Sequence, residues 1–113
     1  MTTINGDLHG VHYEYTSNTF GLVPQTYSYE LTASGGGRVA MKIEYEELPE
    51  LGEVGVAAHW VTLEDKSKIQ SGTSLNGKFT APKSSYPLAN IRFKFSREVL
   101  SDGVDFKLTF EPA

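Results

Sequence analysis

Five glutamates, Glu44, Glu46, Glu47, Glu50 and Glu53, crowd one short stretch of the chain. Such a run can present an acidic face to a basic partner, with an encounter rate that falls as salt is added. The plainer reading is a solvated strand and loop whose charges deter edge pairing, and like charges in a row favour it. Three histidines, His9, His12 and His59, invite a zinc reading. His9 and His12 are three apart, which in a strand turns their rings to opposite faces, and no spacing matches a recognised zinc pattern. Surface or strand-edge histidines are expected instead. No Gly-x-Ser-x-Gly elbow surrounds any serine. A carboxylate pair for glycoside cleavage, such as Glu46 with Glu111, is left open by sequence alone. A chain this short has little room for a water-excluding cleft, so catalysis is not expected. Phe20 and Tyr86 are aromatic residues in polar, loop-like surroundings and are the candidates for ligand contact. Phe20 reads equally well as a loop anchor packed down on the core. Arg92, Lys94 and Lys107 could form a basic stripe if their strands are neighbours; otherwise they are a wet face.

The elements that must position these residues are strands. Apolar side chains recur at every second residue in Val11–Tyr15, Tyr27–Leu31, Val39–Tyr45, Ile91–Phe95 and Phe106–Phe110. That period puts one face in a core and leaves the other in water. Val54–Leu63 is apolar on both parities and is expected to lie deeper in its sheet. The one helix candidate, Glu44–Gly52, is broken by Pro49. Turn chemistry separates the runs at Ser34–Gly37, Asn76–Gly77 and Asp102–Gly103. Seven or eight short strands with frequent turns predict an all-β fold, a two-sheet antiparallel β-sandwich of jelly-roll type. The 113 residues fit one domain, residues 1–113, without linker or repeat.

Composition narrows the function. Ten basic against fourteen acidic residues give a net charge of −4, which argues against a nucleic-acid binder, since that needs a basic footprint. No apolar run approaches the ~20 residues of a membrane-spanning helix. No signal peptide is visible at Met1–Gly10, which suits either a protein not exported by that route or a domain of a longer chain. Without cysteine, disulfides, thiolate nucleophiles and Cys-ligated zinc are excluded.

The order of features from Thr26 onward resembles the CUB domain. Tyr27-Ser-Tyr-Glu-Leu-Thr-Ala33 with its following glycines is similar to the family's Cys-x-Trp-x-Ile strand and hairpin. Trp60-Val-Thr-Leu63 resembles its Tyr-Val-x-Val strand. Ser74-Leu-Asn-Gly-Lys-Phe79 followed by Pro82 resembles its Leu-x-Gly-x-Phe-Cys-Gly stretch. Phe95, Phe106, Leu108 and Phe110 fall at the spacing of its C-terminal motif, with Asp105 where the family usually has glycine. Tyr27 and Thr80 stand where the family has cysteines, so neither of its usual disulfides is present. The resemblance implies a calcium site between end loops. Its acidic positions fall on Glu50 and Glu53, on His59 in place of a carboxylate, and on Glu98 with Asp102 beside it. Calcium needs several hard oxygens, so the departure at His59 favours solvated carboxylates over a relocated site built from Glu50, Glu53, Glu98 and Asp102.

The resemblance also implies a non-catalytic recognition module that binds protein or carbohydrate through its end loops. Such a module would sit among neighbouring domains of a larger secreted protein, outside the cell or at its surface. Two other readings stay open: a structural, coat- or capsid-like assembly unit, and a small glycan-active enzyme.

Overall fold

A computed structural model describes every residue except 50, 51, 53, 56 and 99–101, and the backbone alone at 66–68. The chain folds as an all-β, two-sheet antiparallel sandwich, with no helix among the described residues. Nine strands follow one another: β1 (Thr2–Leu8), β2 (Glu14–Thr16), β3 (Phe20–Leu22), β4 (Thr26–Ser34), β5 (Arg38–Glu47), β6 (His59–Gln70), β7 (Ser74–Thr80), β8 (Ala89–Arg97) and β9 (Val104–Pro112). One sheet has the order β1-β9-β4-β7, the other β2-β8-β5-β6, with β3 also paired to β8. Every connection passes from one sheet to the other except β2 to β3 and β5 to β6. That winding is a jelly roll.

Period-two burial explains why these segments pair as they do. Tyr27, Tyr29 and Leu31 of β4, Val39, Met41 and Ile43 of β5, and Phe79 of β7 point between the sheets. They meet Ile91, Phe93 and Phe95 of β8 and Phe106, Leu108 and Phe110 of β9 there. Aromatic rings bridge the layers: Phe95 stacks on Phe106 at 4.1 Å between centroids, and Phe93 lies 5.2 Å from Phe110. Such pairs add roughly 0.5–1.5 kcal/mol each beyond the area they bury.

Three local expectations give way, and the first is the turn at Asn76–Gly77, residues that lie inside β7 and pair with β4. Val11–Tyr15 does not make one half-buried strand. Residues 9–12 turn, with the His12 N–H donating to the His9 carbonyl at 3.0 Å, and Val11 is 83% exposed. Only Glu14–Thr16 pairs, in a segment too short to show a period. Of the segment expected to lie deep, Val54–Leu63, residues 54, 55, 57 and 58 lie in a loop and 59–63 in an edge strand. Val54 is 91% exposed, Ala57 and Ala58 are exposed, and β6 pairs only with β5. Small apolar residues in a loop mimic the two-parity pattern of a central strand. Arg92 and Lys94 lie on β8 while Lys107 lies on β9, in different sheets, so no common basic stripe forms.

Candidate functional site

The two ends of the sandwich hold different chemistry. At the end where β5 finishes and β8 begins, a cleft of about 300 Å³ opens between the ends of β5 and β6 and residues 82–90. Alternation on β5 and β8 sends Glu46 and Asn90 outward on adjacent strands, and the Asn90 Nδ2 donates to Glu46 Oε1 at 3.0 Å. The hydroxyl of Tyr45 donates to Glu47 Oε2 at 3.4 Å, and His59 Nε2 lies 3.7 Å from Glu47 Oε1. Burial, reinforced by the Glu47 carboxylate, raises the Tyr45 phenol above its ordinary value. Leu48, Pro49, Pro82 and Leu88 supply apolar walls.

Beside the cleft, the outer face of the same sheet carries Trp60. The Arg92 guanidinium lies 3.9 Å from its ring centroid and donates through Nε to Glu44 Oε1 at 2.7 Å. Glu44 is buried, so this charge-assisted bond neutralises a carboxylate that water barely reaches.

Tyr86 donates its hydroxyl to the Pro49 carbonyl at 2.7 Å, which ties residues 82–88 to the segment leaving β5. The Phe20 ring sits edge-on to Phe93 and Phe110, at 6.1 and 5.6 Å. Glu46 and Glu111 lie on the outer faces of different sheets, whose layers pack ~10 Å apart, so they do not flank a common bond. Glu50 and Glu53 lie outside the described residues.

Glu98 and Asp102 belong to the opposite end. Glu98 Oε2 is 3.9 Å from Arg38 Nη1, at the start of β5, whereas the 48–58 segment leaves from its finish. The glycine loop between β4 and β5 packs here against the main chain of residues 102–103. The Gly37 N–H donates to the Gly103 carbonyl at 3.1 Å, and Ser71 donates through N–H and Oγ to the Gly37 carbonyl at 3.0 and 2.7 Å. Gly35 and Gly36 hold φ of 99° and 98°, a region L side chains rarely enter. On the rim, Arg97 is only 8% exposed; its Nη2 donates to the Gly10 carbonyl at 2.5 Å and its guanidinium lies 4.4 Å from the Tyr13 ring centroid.

Sequence reasoning found Glu46, Glu47, His59 and Tyr86 as residue types but not their company. Asn90 and the Trp60–Arg92–Glu44 stack carried no local signal, because register between distant strands assembles them.

No family model matches this chain, and no curated protein does. Among solved structures it is similar to one of the Gt strain of infectious bursal disease virus, at 12% identity and a TM-score of 0.46, over 96% of this chain and 29% of that one. It is similar over 98% of its length to 84% of a chain described as "CBM4 structure and function", at 14% identity and a TM-score of 0.46. A structure of the Gx strain of the same virus matches at 10% identity and a TM-score of 0.47, over 96% of this chain and 28% of that one. The chain thus spans less than a third of the viral chains it matches.

Proposed function

We propose that this chain is a non-catalytic recognition module that binds a carbohydrate chain in the cleft between β5, β6 and residues 82–90. One observation carries the reading: Glu46 and Asn90, locked together at 3.0 Å, meet the Tyr45–Glu47–His59 group over apolar walls. Sugar hydroxyls need donors and acceptors set close together, while their C–H faces need apolar surface, and a cleft of this kind offers both. The polar groups stand on or beside paired strands, so little ordering is lost on binding. The resemblance to CUB domains points the same way, toward a binding module outside the cell. The calcium assistance implied by that resemblance would fall at the other end, on Glu98 and Asp102.

Affinity electrophoresis through soluble neutral and acidic polysaccharides, followed by titration calorimetry, tests the proposal. Retardation by at least one polysaccharide is expected, weakened about tenfold or more by Asn90→Ala and by Glu46→Gln. Retardation indifferent to both changes would remove the cleft from the reading. Absence of retardation, together with light scattering from bodies far larger than a dimer, would favour the assembly role.

A further inference from the structure

Asp7 and Asp105 face each other across the antiparallel β1–β9 pair. Like charges placed directly opposite in a ladder destabilise it. Among the described residues neither carboxylate forms an ion pair with lysine or arginine; their basic neighbour is His9, whose Nε2 lies 3.0 Å from Asp105 Oδ1. One ligand atom from each of Asp7, His9 and Asp105 fits within 4.8 Å of the others, and all three residues are exposed.

We infer that Asp7, His9 and Asp105 form a solvent-open site for a divalent ion of the zinc class. The backbone register sets Asp7 and Asp105 opposite each other. His9, in the turn just after β1, packs closely on Gly103, where a Cβ would stand 2.0 Å from His9 Nδ1. The imidazole therefore lies against the main chain of Gly103, with Nε2 toward Asp105. Two carboxylate oxygens and one imidazole nitrogen suit a borderline ion such as Zn²⁺ better than Ca²⁺, which prefers oxygen throughout. Zinc bonds of about 2 Å draw ligand atoms closer than they stand here, a change that rotation of three exposed side chains supplies. On binding, the ion takes the place of the direct His9 Nε2–Asp105 Oδ1 contact. Its remaining positions face water and can take a ligand oxygen. The ion also cancels the opposed charges on β1 and β9.

The test is calorimetric titration of the whole chain with zinc chloride, with calcium and magnesium chloride in parallel and thermal melting alongside. One zinc ion per chain and a rise in Tm of several degrees at a hundredfold excess over Kd are expected. His9→Gln and Asp105→Asn should each abolish both, and Asp7→Asn should weaken binding at least tenfold. His12→Gln and Asn90→Ala should change neither, which keeps this site separable from the carbohydrate cleft. Should one variant lose its strand circular dichroism, the other two carry the test. No heat with zinc, zinc binding that survives His9→Gln, or an equal response to calcium would overturn the assignment.

Discussion

The two ends of this sandwich are closed by different means. At the glycine end, main chain meets main chain closely: the Gly37 N–H donates to the Gly103 carbonyl, and Ser71 donates through N–H and Oγ to the Gly37 carbonyl. At the cleft end, loops are spaced by side chains, with Tyr86 reaching Pro49 and Asn90 reaching Glu46. Backbone packing brings the loops of the glycine end close together, and Asp7, His9 and Asp105 stand exposed beside them. Side-chain spacing leaves a cavity, so the chemistry of the other end lies within. Closure by backbone draws the loops together, and closure by side chains leaves a cleft.

Breaking the glycine end should cost most. A Cβ on residue 37 would lie 2.1 Å from the Asp102 carbonyl oxygen and 2.9 Å from that of Gly103, both backbone atoms. Gly37→Ala is therefore expected to destabilise by about 3 kcal/mol or more in urea melts, because neither neighbour can step aside. Next comes the face beside the cleft. Arg92→Ala strands the buried Glu44 carboxylate and uncovers Trp60. A loss of about 2 kcal/mol is expected, below the figure for a fully buried pair because Arg92 is partly wet. At the cleft itself, Tyr86→Phe removes one hydrogen bond to Pro49 and should cost about 1 kcal/mol. If Tyr86→Phe proved as damaging as Gly37→Ala, the contrast between the ends would fail.

The smallest effect concerns alkaline pH. The folded Tyr45 phenol ionises above its ordinary value of 10.0 because burial and then Glu47 disfavour the anion. The unfolded chain therefore gives up this proton first, and its contribution is full below that pH and lost as pH rises through the folded value. Stability curves between about pH 9 and 11 should flatten in Tyr45→Phe relative to the parent protein.

Much of the scaffold was legible in the sequence because alternation is a local signal. Tyr27–Leu31, Val39–Tyr45, Ile91–Phe95 and Phe106–Phe110 each fall within a strand whose apolar face is buried. Parity fails where a segment is short or peripheral. Glu14–Thr16 pairs over too few residues to show a period, and Val54, Ala57 and Ala58 are apolar without being covered. The site was less legible, because its members meet only through strand register. His9 and Asp105 are 96 positions apart, and nothing near either residue announces the other. Asn90 and Glu46 are likewise joined by the pairing of β8 with β5 and not by spacing along the chain. Tyr86 was visible as a loop aromatic, whereas its reach to Pro49 depends on two connections folding to the same end.

Arg97 gives the turn after β1 an unusual fastening. It grips the Gly10 carbonyl and lies against Tyr13, bracketing the residues just beyond His9. A guanidinium keeps its charge throughout the range in which proteins stay folded, so acid that protonates every nearby carboxylate leaves this rivet untouched. The imidazole can thus gain or lose its own partners while the platform beneath it holds still.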